Sequence, residues 1–149
     1  VDTKALMIGG SKGLPAVKNP LEAYKKSLLE ETGAPERLVD QFVERYGTYA
    51  AAVLDLPPVY SPTGYWSLGD YTPEEIAEIA RNEDVIHLDD LILRRTMIGK
   101  LGQLTERNLA DLAGVVAEAI GWSTDFQQSE IERTVELMAD QHGVDLNHN

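Results

Sequence analysis

The sequence contains no cysteine. This absence excludes disulfide bonds, thiolate nucleophiles, and zinc or iron–sulfur sites with cysteine ligands. It also fits a protein that folds in a reducing compartment. No apolar stretch approaches the roughly 18 residues that a membrane-spanning helix needs, and no signal peptide opens the chain. We therefore expect a cytoplasmic protein without a transmembrane segment.

Basic residues are scarce. The chain has 13 lysines and arginines against 25 acidic residues, which gives a formal net charge of -12. Such a protein repels phosphate backbones and anionic lipid surfaces, so we expect no nucleic-acid partner. The candidate basic run consists of Lys12, Lys18, Lys25 and Lys26, and we interpret it as the solvated start of a helix rather than a binding patch.

The first nineteen residues differ from the rest. A short apolar run at 5–8 is followed by glycines and prolines without a helical period, so an extended arm is predicted over residues 1–19. Its glycines match neither the phosphate-binding loop nor the dinucleotide-binding fingerprint. The chain begins with Val1 rather than methionine, which suggests a piece excised from a longer protein.

From residue 20 onward, polar caps, prolines in first turns and terminal glycines mark helix boundaries, with apolar residues at helical spacing between them. The fold class predicted is all-α, a compact bundle-like domain of about six helices over residues 20–149. The boundary signals are Asn19 with Pro20, Gly33, Gly47, Pro57 with Pro58, the Thr72–Glu75 capping box, Thr105, Gly121, and either Ser123 or Thr124.

Two further segments receive specific predictions. The aromatic residues of the proline-rich loop at 57–71 are expected to pack the loop onto the helices rather than to form a ligand platform. The tail at 143–149 is expected to fray. In the last helix, the inner face is predicted to carry Ile131, Val135, Met138 and His142.

Candidate catalytic and metal-binding residues are few. His142 and His148 have no acidic or histidine partner at a helical spacing that would mark a metal site. His87 has Glu83, Asp89 and Asp90 nearby in sequence, but one histidine among carboxylates is not a ligand set. We therefore predict no catalytic, cofactor-binding or metal-binding residue in this chain.

The densest pattern is the segment from Glu83 to Thr96, which allows two geometries. One helix over 83–96 would place Asp90 four residues before Arg94, a favourable spacing for an ion pair. Alternatively, His87 is the N-cap and Asp90 the third residue of a helix that begins at Leu88. In that geometry Glu83 lies in the preceding turn and reaches either arginine.

The apolar residues between the charges argue against two arginines that are simply solvated. We expect at least one arginine at a packed junction, where a carboxylate fixes its orientation. A structural or interface role is favoured over a ligand-binding role. The residues assigned to this motif are Glu83, Asp90, Arg94, Arg95 and Thr96.

The order of a Glu, a Leu, an Asp and a final Arg-Arg-Thr over residues 83–96 resembles the signature of the C-terminal helical domain of FAD-dependent glycerol-3-phosphate dehydrogenases and the related alpha-glycerophosphate oxidases. His87 stands where threonine is usual. The sequences at 6–13, 45–56 and 119–122 are similar to other parts of that family's domain and its junction with the FAD domain.

The resemblance implies a full-length enzyme that oxidises glycerol 3-phosphate to dihydroxyacetone phosphate, with FAD as hydride acceptor and quinone or oxygen as the final acceptor. Residues 1–19 would be the remnant of the FAD domain and residues 20–149 the C-terminal domain. This chain would hold no cofactor. Its partners would be the enzyme's own FAD/substrate domain and, through a subunit contact, a second copy. The enzyme would be cytoplasmic or peripheral to the inner face of the membrane.

The main alternative is a free-standing acidic helical module that binds a basic protein. A self-contained module would not need the orphan apolar run at 5–8, and this feature favours the accessory-domain interpretation.

Overall fold

A computed structural model describes residues 12–59, 66, 68–100, 102 and 104–146. Every regular element in these residues is a helix, which confirms the predicted all-α class. The predicted apolar strand at 5–8 lies outside the described residues. Contacts divide the chain into two compact units, residues 1–56 and 57–149.

The helices begin and end close to the predicted boundaries. We number the six α-helices in chain order: α1 Pro20–Thr32, α2 Glu36–Tyr46, α3 Ala50–Leu54, α4 Pro73–Asn82, α5 Glu106–Ile120 and α6 Thr124–His142. A 3₁₀ turn, Gly47–Tyr49, precedes α3, and a π-helical stretch, Asp90–Arg95, lies between α4 and α5.

The first unit is built from α1, α2 and α3. Gly33 ends α1 in the left-handed conformation, as its position after the apolar pattern predicts. The Lys25 ammonium contacts the Asp40 carboxylate at 2.8 Å and links α1 to α2. This hydrogen bond raises the pKa of Lys25. The buried core of the unit consists of Leu28, Val39, Phe42, Val43, Ala50 and Val53.

The second unit packs α4, α5 and α6 around one core, with α5 the most deeply buried. The capping box of α4 is confirmed, because the Thr72 hydroxyl accepts from the Glu75 amide and the Glu75 carboxylate accepts from the Thr72 amide. A second capping box, between Thr105 and Asn108, begins α5. Of the two caps proposed for α6, the structure uses Ser123.

Several details differ from the predictions. Asn19 stands at the N-cap of α1 but makes no capping hydrogen bond with its side chain. Leu146 is buried, so the tail does not fray before that residue. Trp66 and Tyr71 pack against the core as expected, whereas residues 60 and 65 are outside the described part of the chain.

The inner face of α6 was predicted only in part. Met138 is buried, and Ile131 and Val135 pack partly buried against the core. His142 is exposed, and the positions buried in its place include two polar ones, Glu130 and Thr134. The prediction failed here because a periodic count of apolar residues passes over buried polar side chains such as Glu130, whose carboxylate is satisfied by contacts with distant residues.

Candidate functional site

The segment from residue 83 to residue 96, hereafter the signature segment, contains a helix that begins at Leu88. The His87 amide donates to the Asp90 carboxylate at 3.2 Å, and the Asp90 amide donates to the His87 carbonyl at 3.1 Å. These bonds are those of the second predicted geometry, with His87 at the N-cap. A single helix over residues 83–96 is not formed, because the chain turns at Glu83 and Asp84.

The carboxylates of the motif pair with its arginines. Arg94 contacts Asp90 at 3.0 Å, one helical turn away. Arg95 contacts Glu83 at 3.4 Å across the turn before the helix. Both ion pairs match the sequence prediction.

Neither arginine is buried within this chain, and a packed junction with another domain stays a prediction. The side chains of Arg94 and Arg95 are 71% and 44% exposed. The helix instead buries its apolar side, on which Leu88, Leu91 and Ile92 lie in the core. Ion pairs at such exposure contribute little to stability. Because both side chains are exposed, their guanidinium groups are accessible for contacts outside the chain.

Thr96 has a structural task at the end of the helix. Its amide and its hydroxyl both donate to the Leu91 carbonyl at 2.9 Å, five residues back. This spacing is that of a π-helical turn, in which one residue more than usual is accommodated. The Thr96 side chain is buried, so the hydroxyl needs this acceptor.

A close approach follows the π-helical turn. The Gly99 amide donates to the Ile92 carbonyl at 3.2 Å. A β-carbon at Gly99 would come within 2.9 Å of side-chain atoms of Ile92 and Leu93, closer than such atoms normally lie. The chain therefore needs glycine here for space rather than for an unusual backbone angle.

A cluster of charged side chains contacts the start of the helix, at His87 and Leu88. It joins α6 to the signature segment through the buried Glu130 carboxylate, which accepts from the His87 imidazole Nδ1 at 2.9 Å and from the Leu88 amide at 3.0 Å. The Arg133 guanidinium donates to the same carboxylate and also contacts Asp89. We call Glu130, Arg133, His87 and Asp89 the α6 cluster.

The electrostatics of the α6 cluster favour charged side chains. Burial by itself would raise the pKa of the Glu130 carboxyl, but hydrogen bonds from Arg133, His87 and the Leu88 amide outweigh it, and the pKa is lowered. Burial likewise opposes the charge of Arg133, yet its contacts with Glu130 and Asp89 leave the guanidinium pKa raised. Both groups therefore remain ionised at neutral pH.

The sequence analysis missed Glu130 and Arg133. Their spacing of three residues on α6 is a visible signal, but the same spacing occurs in many exposed ion pairs. What distinguishes this pair is that the Glu130 side chain is only 3% exposed. That burial comes from the packing of α6 near His87, which the local sequence does not reveal.

Other features of the unit are less specific. A cleft of about 420 Å³ lies beside the signature segment and is lined by Leu93, Gly99, Lys100, Met138, His142 and Val144. Within the described residues, no group of three or more histidine, aspartate or glutamate side chains is arranged to hold a metal ion. No helix in this part of the chain has the length and apolar character to cross a membrane.

Comparison with known proteins gave one informative result. Curated proteins and solved structures yielded no match. The family model for the C-terminal domain of alpha-glycerophosphate oxidase matches residues 1–127, and this range includes the whole signature segment. Because the match covers well over half of the 149 residues, the chain belongs to the family of the C-terminal domain of alpha-glycerophosphate oxidase.

Proposed function

We propose that this chain is the C-terminal accessory domain of a flavin-dependent glycerol-3-phosphate dehydrogenase or oxidase. In the full-length enzyme, glycerol 3-phosphate is oxidised to dihydroxyacetone phosphate and the hydride passes to FAD. The observation that carries the proposal is the family match over residues 1–127. The order of Glu83, Leu88, Asp90 and the final Arg94-Arg95-Thr96, which resembles the signature of that family, supports it.

In this proposal the domain takes no part in the chemistry. FAD and substrate bind to the preceding domain, and the present chain packs against that domain. Residues 1–19 belong to the connection between the two. If the enzyme assembles from several copies, this domain also takes part in a subunit contact. The enzyme works in the cytoplasm or at the inner face of the membrane.

The exposed end of the signature segment is the proposed contact surface. Arg94 and Arg95 each use part of their guanidinium group on a carboxylate of this chain, and a guanidinium has five N–H donors. Met97, directly after the motif, is 46% exposed. Two arginines beside an exposed apolar side chain fit a partner surface that offers carbonyl or carboxylate oxygens next to an apolar patch.

Two experiments test the proposal. Purified chain is mixed with FAD and passed through a desalting column, and we expect no flavin absorbance to elute with the protein. Stoichiometric retention of FAD would overturn the non-catalytic role. This experiment needs no partner domain.

The second experiment measures binding to a separately produced FAD/substrate domain of an alpha-glycerophosphate oxidase by calorimetry. Reversal of charge in Arg94→Glu together with Arg95→Glu is expected to weaken binding at least about tenfold, a loss typical of removing central charge-assisted contacts. Arg81→Glu together with Arg107→Glu is the matched control, because it reverses the same number of charges and both arginines are exposed in the same unit. Equal losses in both proteins, or no binding by the unaltered chain, would contradict the proposed surface.

A further inference from the structure

The helix of the signature segment, residues 88–95 and hereafter the signature helix, has no side-chain cap from the residue before it. The first amides of a helix have no partner within the helix and need an acceptor, which a serine, threonine, asparagine or aspartate at the N-cap normally supplies. His87 precedes the first helical residue, and its imidazole contacts Glu130 rather than a helix amide. The buried Leu88 amide is satisfied from elsewhere, by the Glu130 carboxylate at 3.0 Å.

The acceptor is therefore supplied by α6. Glu130 lies 42 residues after Leu88 in the chain. It also lies beyond residue 127, where the family match ends, and so does Arg133. The signature segment of the family is thus held in this protein by residues outside the matched range.

The same carboxylate constrains the His87 ring. An ionised carboxylate only accepts hydrogen bonds, so the Nδ1 atom that lies 2.9 Å from the Glu130 oxygen has to carry the hydrogen. In the neutral ring, Nε2 is then the atom with the free lone pair. The His87 side chain is 45% exposed, and Nε2 has no hydrogen bond to any residue that the structure describes.

Arg133 completes the arrangement. It donates to both oxygens of Glu130 and to Asp89, the second residue of the signature helix. The carboxylate is therefore surrounded by donors on each oxygen, which keeps it ionised and fixes its plane. Hydrogen bonds hold both oxygens, so the carboxylate group does not turn toward solvent.

We propose that Glu130, oriented by Arg133, is the positioning residue of the signature helix. It accepts from the first amide of this helix, and it fixes His87 in the tautomer with hydrogen on Nδ1. The Nε2 atom is thereby presented at the surface as a hydrogen-bond acceptor, suited to a partner group that donates a hydrogen bond. This role does not depend on the proposed enzymatic context.

Nitrogen-15 NMR of the whole 149-residue chain, with the imidazole neutral, tests the proposal directly. The His87 signals are identified by their loss in His87→Asn. We expect the unaltered chain to show the hydrogen on Nδ1 and a bare Nε2. A His87 ring with the hydrogen on Nε2 would overturn the proposal without any variant.

The variant Glu130→Gln gives an independent test. Of the donors around the carboxylate, the His87 ring alone is able to become an acceptor, so the new amide group is expected to face it, and the Arg133 Nε–H bond to the same oxygen is lost. We expect the tautomer to reverse while the glutamine oxygen keeps the Leu88 amide protected from hydrogen exchange. An unchanged tautomer would contradict the positioning role, because loss of charge alone does not predict reversal.

The matched control is Glu136→Gln, which removes the same charge from an exposed position of α6. It is expected to leave the tautomer of His87 and the exchange rate of the Leu88 amide unchanged. A reversal in this control as well would assign the effect to general electrostatics and overturn the proposal. If Glu130→Gln does not fold, the tautomer of the unaltered chain decides the question.

Discussion

The most direct prediction contrasts two arginines that look alike in the sequence. Arg133→Met and Arg94→Met each replace a guanidinium by an unbranched apolar side chain. Arg133 is paired with a carboxylate that is only 3% exposed, whereas the carboxylate paired with Arg94 is 19% exposed and Arg94 itself is 71% exposed. The structure therefore predicts a large loss of stability for one variant and almost none for the other.

The magnitude follows from what each change leaves behind. Removing one partner of a fully buried ion pair costs roughly 3–5 kcal/mol, because the remaining charge is left uncompensated. Arg133 is 36% exposed, so water reaches part of the site, and Glu130 keeps its bonds to His87 and Leu88. We therefore expect about 2–3 kcal/mol for Arg133→Met. An exposed pair such as that of Arg94 contributes at most about 1 kcal/mol.

Urea unfolding at neutral pH measures both free energies through the midpoint and the slope. Thermal unfolding should show a fall in Tm of about 4–12 °C for Arg133→Met, from the usual sensitivity of domains of this size. Equal losses in the two variants would refute the assignment of the α6 cluster as the stabilising ion pair. So would a loss below about 1 kcal/mol for Arg133→Met.

Three further predictions concern pH, space and the end of the chain. The pKa of Glu130 is lowered from its ordinary value of 4.5, so its contribution to stability is complete above that pH and is lost as the pH falls through the lower folded value. The stability difference between the unaltered chain and Glu130→Gln should therefore narrow below about pH 4.5 in urea titrations; a constant difference would contradict this. Gly99→Ala should lower the free energy of unfolding by about 1–3 kcal/mol, because the added carbon meets Ile92 and Leu93 at 2.9 Å; an unchanged urea midpoint would show that the helix yields easily. Leu146→Ala should cost about 2–4 kcal/mol, because this side chain is 1% exposed; a neutral effect would restore the prediction of a frayed tail.

Local signals predicted most of the helix boundaries. The Thr72–Glu75 capping box and the glycines after α1, α2 and α5 act through bonds within a few residues, so the sequence itself contains the interacting groups. The pairing of Asp90 with Arg94 was predictable for the same reason, since one helical turn separates them.

Predictions that depended on distant neighbours were less successful. The apolar residues around the arginines did not indicate how exposed these side chains are within this chain, where Leu88, Leu91 and Ile92 take the buried side. The division into two units at residue 56 was not anticipated either. Both outcomes depend on which surfaces meet, and sequence spacing does not specify that.

The signature segment shows where the two kinds of information separate. The order of residues from Glu83 to Thr96 was sufficient to indicate the family and to leave two alternatives for the start of the helix, because these features depend on residues within one or two helical turns. In the structure the helix begins at Leu88. The Leu88 amide donates to the carboxylate of Glu130, which lies 42 residues away in the chain. The sequence by itself determined the helical fold class, and the tertiary structure decided which charges are buried, since burial depends on packing between residues that are far apart in the chain.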